Sequence, residues 1–435
     1  MLKSNIAWMK KNVPSDLKVW KGMIQDIDWS QVAAKTKLSL QRDKDRITAE
    51  FKEFAAMDTS AKIDWLMNGD RHLGYLYKKD AIAFARREWK GLKSVGYDFV
   101  GWLKIWGGML NMVMKDPISI MLAVFEYHWF ASYLATPAVV DRSVFGRRGK
   151  LLQADFDMWV AITHWAEDLI ANLIMADAKI GGNQKINKRI IMFDEMTMAQ
   201  MMAGFPNLLG IPYQMIPVFM VSEMDQLTLI PYIDAIESYG LPSDTCPLPT
   251  AECGCAVKDE YPMCGQGFIA SSMPCDGSVM ATSFQDRRFS KFMPSYPLCM
   301  PVRYDDEDTT EMAAADMKDC IHWVEGLTGE TWNWDTYFAT MEKMNECTRL
   351  EMEKWEINKT HYPQLVGSSF ELFRKWNYEM DGGLFPEGLK TQRKICKTMM
   401  ETYEKKLPAY VGGYEKYRAL IWSCPAHFYA NFSNW

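Results

Sequence analysis

At Lys188 the texture of this chain changes, and that change limits the folds open to it. Before it, apolar residues recur at helical spacing. In Leu151 to Ala178 the positions Phe156, Trp159, Val160, Thr163, Leu169, Ile170 and Leu173 mark one face, and Gly181-Gly182-Asn183 then stops the helix. After Lys188 come short apolar runs: Ile190-Ile191-Met192-Phe193 ahead of Asp194-Glu195, then Tyr213 to Val221, then Gly267 to Ser271. Runs of that length read as strands. A helical stretch from Asp225 to Tyr239, closed by Gly240 with Pro242 beyond, separates the second from the third. Strands alternating with helices predict an α/β fold with a parallel sheet and crossover helices.

The pattern then turns helical again. Pro294 to Val302 leads to Asp305-Asp306-Glu307-Asp308, and carboxylates favour helix N-termini, so a helix is predicted from Thr309 or Thr310. Residues 310 to 410 continue as helix, with one long amphipathic element from Trp334 to Trp355 that can run to Ile357. Near the end, the stretch Tyr417-Arg418-Ala419-Leu420-Ile421-Trp422-Ser423-Cys424-Pro425 reads as a buried strand and a loop that open a second sheet. The expected organisation is a helical N-terminal region over 1–185, an α/β domain over 186–310, a helical linker over 311–412 and the start of a second α/β half over 413–435. A strand with no successors suggests a fragment, or a polypeptide whose remainder lies elsewhere.

Charge narrows the partners. Of 435 residues, 49 are Lys or Arg and 55 Asp or Glu, so nothing in the balance favours nucleic acid. With 48% hydrophobic and 24% charged residues, disordered and small disulfide-scaffold classes are excluded. The N-terminus has no apolar core before a small-residue cleavage site, which points to a cytoplasmic protein. Pro117 to Val140 is the most apolar stretch, but Glu126 and His128 within it favour a buried helix over a membrane span. The 32 methionines and 17 tryptophans fit a soft, wide core.

Ten cysteines are spread unevenly: none precedes Cys246, while Cys246, Cys253, Cys255, Cys264, Cys275 and Cys299 fall within 54 residues. In a reducing compartment such a cluster holds metal or stays as buried thiols, and the spacing C-x6-C-x-C-x8-C-x10-C matches neither a zinc ribbon nor a ferredoxin. Position favours two of them. Cys246 follows Gly240-Leu241-Pro242 and Cys275 follows the strand near Ser272, which puts both at the carboxyl-end edge of an open sheet, where ligands of such folds bind. Cys275-Asp276-Gly277 would also start a helix whose dipole stabilises a thiolate.

Several segments together carry a resemblance. Gly240-Leu241-Pro242-Ser243-Asp244-Thr245-Cys246, Cys275-Asp276-Gly277, Met300-Pro301-Val302, Trp323-Val324-Glu325-Gly326-Leu327-Thr328-Gly329 and Met344-Asn345-Glu346 stand in an order that resembles the benzoyl-CoA reductase and 2-hydroxyacyl-CoA dehydratase family over about residues 188–435. The resemblance implies two Rossmann-like halves and a [4Fe-4S] cluster held by three cysteines, with Cys246 and Cys275 at the first two ligand positions. It also implies a homologous second iron–sulfur subunit, an acyl-CoA substrate and a separate ATP-dependent iron–sulfur activator that delivers the electron. The family's third ligand comes from the second half, beyond the strand of Leu420 to Trp422; Cys253, Cys255 or Cys264 could substitute locally. The tail through Trp435 looks closer to the ring-reducing subunit than to the dehydratase. Gly383 to Lys390 (GLFPEGLK) lacks the lysine of a phosphate loop, so the chain does not look like the activator.

Other residues carry weaker signals. His427, after Cys424-Pro425, is the candidate catalytic acid or base. Asp276 either orients the cluster-side loop or caps a helix. Arg287-Arg288 either meet CoA phosphates or line a solvated face. His164 and Glu167 share a helical face with Asp168, as a metal or proton-transfer group or, more simply, a satisfied helix-face histidine. A fold relative without a cluster and a structural zinc protein are the competing readings.

Overall fold

The computed structural model describes residues 29–68, 92–134, 150–193, 201–212, 221, 226–242, 245–271, 277, 279–280, 293–299, 306–364 and 386–406. The chain divides into two units, residues 1–71 with 88–98 and residues 72–87 with 99–435.

The first unit contains helices α1 (Trp29–Ala56) and α2 (Thr59–Asn68). Asp58 closes the first turn of α2 by accepting from the Ala61 N–H at 2.8 Å, which satisfies one of the donors a helix start leaves open. Phe54 and Trp65, with ring centroids 5.0 Å apart, join the two helices.

Helix α3 (Leu92–Lys115) contributes residues 92–98 to the first unit and 99–115 to the second. In the second unit follow α4 (Pro117–Glu126), α5 (Lys150–Ala176), β1 (Ile190–Phe193), β2 (Leu209–Pro212), α6 (Ile230–Glu237), α7 (Pro247–Val257), β3 (Gly267–Ser271), β4 (Ser295–Leu298), α8 (Glu307–Thr328), α9 (Trp334–Asn358) and α10 (Pro386–Glu404). The described residues are mostly helical, and those of the second unit include a four-stranded sheet of order β2-β1-β3-β4 with every pairing parallel. This is an α/β fold, as the pattern implied. Because β1 is flanked by β2 on one side and β3 on the other, the order of connection reverses between β1 and β3, the place where doubly wound sheets bind ligands.

The sheet is buried on both faces, which is why its first strand is apolar at four successive positions: Ile190 and Met192 are as buried as Ile191 and Phe193. Ile191, Phe193, Ile269 and Leu298 form one core with Cys320, Ile321 and Val324 of α8 and with Trp332. A Cβ on Gly267 would meet Trp323 and Leu327, so glycine at the start of β3 lets the end of α8 come close. At the other end, Asp316 of α8 reaches the backbone just past β4. Helix α8 therefore runs antiparallel to the strands it covers.

Helix α8 begins at Glu307, two or three residues ahead of the predicted start, because Asp306 caps it by accepting from the Thr309 N–H at 2.6 Å. Gly329 at φ 74° closes it. Asp306→Ala is expected to lower the urea midpoint, because the Thr309 N–H loses its capping acceptor.

The apolar stretch after Pro117 departs from the single buried helix expected. Asp116 caps α4 and Pro117 opens it, but the helix ends at Glu126, where Tyr127 turns extended. Ile118 and Met121 remain 68% and 58% exposed, while Tyr127, Trp129, Phe130 and Tyr133 beyond the break are buried. The break exists because its polar groups are claimed by distant partners. The Trp129 indole N–H donates to the Glu260 carbonyl at 2.8 Å and the His128 N–H to Glu260 Oε2 at 2.9 Å, where Tyr232 also donates at 2.5 Å. Among the described residues no single helix is long and apolar enough to cross a membrane; Phe99–Lys115 and Pro117–Glu126 reach that level only together, bent by 96°.

Helix α5 stops as the glycine pair predicts. Gly181 and Gly182 adopt positive φ, and Asn183 caps the short helix Gln184–Asn187. Asp177, wholly buried at the end of α5, accepts from Tyr127 OH and from the backbone N–H groups of Met263 and Lys179. One carboxylate thus joins α5, the turn after α4 and the entry to β3.

Candidate functional site

Cys246 is exposed and stands at the N-cap of α7. Pro247 and Pro249 follow it, and a proline in a first turn brings no N–H that must be satisfied. The hydroxyl of Thr250 donates back to the Cys246 carbonyl at 2.8 Å, which fixes the turn. A sulfur held here meets the positive end of an 11-residue helix, a setting that favours negative charge.

The depth of α7 depends on Gly254. A Cβ at that position would meet the Tyr232 backbone, so α6 and α7 cross with backbone against helix. Cys253 and Cys255, on either side, are fully buried, and Cys264 nearly so. Burial pushes the Cys253 thiol up to about 12 and holds those of Cys255 and Cys264 well above the ordinary range. Without a metal these three are buried, protonated thiols that pack as core residues. For Cys253 and Cys255 the local pattern leaves metal ligand and buried thiol equally open, since a helix of mixed small residues and cysteines shows no clear apolar face.

Cys299, to which sequence reasoning assigned no role, is exposed directly after β4. Asp316 pins it: Oδ2 accepts the Cys299 N–H at 2.6 Å while Oδ1 accepts Tyr296 OH at 2.8 Å. Beside that aspartate, burial and then the hydrogen bond push the Tyr296 phenol above its usual range. Ser271 and Leu298 are register partners, so the chain toward Cys275 leaves β3 level with the chain toward Cys299. No local pattern marks Asp316, because its contacts are made only once α8 lies on the sheet.

Cys275, Asp276, Arg287, Arg288, Cys424 and His427 lie outside the described residues. Gly277, Val279 and Met280 are helical, in keeping with a helix starting near Cys275. Among the described residues no group of three or more His, Cys, Asp or Glu side chains stands together as a metal site. On α5 the Nε2–H of His164 donates to the Lys104 carbonyl at 2.7 Å, and Asp168 pairs with Lys115, so both follow the simpler expectation. Glu167 has no such partner. Asp306, from the acidic run, is the α8 cap.

With this geometry in hand, the comparison is specific: residues 226–435 match the family described as 2-hydroxyglutaryl-CoA dehydratase, D-component. That description is in line with the resemblance to the 2-hydroxyacyl-CoA dehydratase and benzoyl-CoA reductase family carried by those residues. The matched stretch begins just before α6 and takes in Cys246, Cys275, Cys299 and His427. No curated protein gives a significant match.

Proposed function

We propose that the chain is an iron–sulfur subunit of an enzyme acting on acyl-CoA thioesters, of the 2-hydroxyacyl-CoA dehydratase type, in which Cys246 and Cys275 each contribute a thiolate to a [4Fe-4S] cluster. The observation that carries this reading is the exposed Cys246 at the start of α7, inside the family match. Of the described thiols between 246 and 299, only Cys246 and Cys299 are exposed; the three between them are sealed. When bound, a cluster with three protein thiolates supplies a site-open iron that passes single low-potential electrons or holds a thioester oxygen. The chain's part is to present a charge-stabilised sulfur, with the α6–α7 crossing fixing the helix that carries it. A homologous second subunit and an ATP-dependent activator belong to the same proposal, and His427 is its candidate acid or base. The matched family description favours dehydration of a 2-hydroxyacyl-CoA over ring reduction.

Anaerobically purified protein is expected to be brown and to carry about four irons with matching acid-labile sulfide. Cys246→Ala should lose most of that iron while keeping the wild-type urea midpoint, since the side chain is exposed. Zinc alone, or no metal in correctly folded protein, would overturn the reading. Assays with a 2-hydroxyacyl-CoA and with benzoyl-CoA, each with the activator, then separate the two reactions.

A further inference from the structure

The inner edge of α3 is narrow. Over residues 99–115 its buried positions are Gly101, Ile105 and Met112, and Gly108 completes the stripe at the same spacing. A Cβ on Gly108 would meet Glu167 Oε2 and the His164 ring, so at this glycine the α3 backbone lies directly against those two side chains of α5. Glu167 is 2% exposed, and neither carboxyl oxygen has a hydrogen-bond partner. A buried ionised carboxylate with no donor is costly, whereas the neutral acid is tolerated.

The neighbouring charges are spoken for. From α3, Lys104 is exposed, only its backbone carbonyl meeting His164, and Lys115 pairs with Asp168. From α5 itself, His164 and Asp168 are the titratable neighbours, each engaged in those contacts. Helix α4 has one titratable residue, Glu126, whose charged neighbours are Lys179, Asp177 and Glu260. On α10, Lys394 pairs with Asp157 and Arg393 with Glu346, while Lys185 of the short helix after α5 is exposed. Burial, with no charged neighbour, accounts for the Glu167 carboxyl standing at about 8.

We propose that Glu167 is a protonation latch for residues 99–115 of α3: the neutral carboxyl lets the helix seat on α5 at Gly108, and loss of its proton to solvent unseats it. The sign follows from the two environments. Exposed, the group ionises near 4.5; seated, it does so near 8. The seated arrangement is therefore favoured at acid pH, weakens as pH rises between those values and levels off above the higher one. Over that window each pH unit raises the opening equilibrium about tenfold.

Hydrogen exchange of the full chain, corrected for intrinsic rates, tests this. Between about pH 6.5 and about pH 9 the amides of residues 101–112 should lose protection about 30-fold relative to those of α8, with the loss levelling above pH 8. Glu167→Gln, neutral at both pH values, should abolish the difference. A wild-type change below about threefold, or the full change retained in Glu167→Gln, overturns the latch. Should that variant fail to fold, the wild-type profile decides alone.

Discussion

Asp177→Ala is expected to lower stability by about 3–5 kcal/mol at neutral pH, because two or three donors in or near the core lose their acceptor and each costs about 1–3 kcal/mol. The carboxylate is wholly buried, takes the Met263 N–H at 2.7 Å and the Lys179 N–H at 3.1 Å, and accepts from Tyr127 OH. Three segments far apart in sequence meet on it, so the loss should be global and visible as a lower urea midpoint at unchanged slope. Desolvation holds its carboxyl above the ordinary 3.8, against the pull of the Tyr127 and backbone hydrogen bonds. A raised carboxyl means that the folded state takes up a proton, so this group's contribution is greatest at acid pH and declines as pH rises from 3.8 through the folded value. Asp177→Asn should cost about 1–2 kcal/mol, by weakening some of the same bonds, and should remove that pH-dependent part. A loss below about 1 kcal/mol in the alanine variant would mean that the three segments are held by something else.

How much could be read in advance follows from how local each signal is. The run Ile190 to Phe193, the strand Gly267 to Ser271 and the glycine stop after α5 are written in consecutive residues, and the structure has them in place. The start of α8 was misplaced by two or three residues because an acidic run can serve either as a turn or as the cap and first turn, and the hydrogen bond from Thr309 to Asp306 decides. The second strand differs more: Leu209–Pro212 was missed, since glycine and proline disguise it, and the predicted Tyr213 to Val221 falls largely outside the described residues. At the site, Gly240-Leu241-Pro242 put Cys246 at a sheet edge but did not show that it stands at the start of α7, where Pro247 is the local signal. Nor was it legible that Cys253 and Cys255 are sealed, because burial of α7 depends on its crossing with α6, where a side chain at Gly254 would meet the Tyr232 backbone, and no spacing records that contact. Glu167 shows the same limit: its helical face was legible, its lack of a partner was not.

Gly254→Ala carries that point to a measurement. Helix propensity alone would make the change favourable by about 1 kcal/mol. The added methyl, however, would meet the Tyr232 carbonyl, and a backbone cannot turn aside as a side chain does. The expected net result is a loss of about 3 kcal/mol in urea unfolding, at the upper end for overpacking in a dense core. Gly326→Ala on α8, where a Cβ would meet nothing within 4 Å, provides the opposite sign and should gain about 0.5–1 kcal/mol. The displacement of α7 also moves its N-terminus, eight residues away, and with it Cys246. If the crossing is what presents that sulfur, the folded fraction of Gly254→Ala should bind less iron than wild type under the same anaerobic loading. Full iron content in a destabilised but folded variant would separate the two roles and leave Gly254 with packing alone.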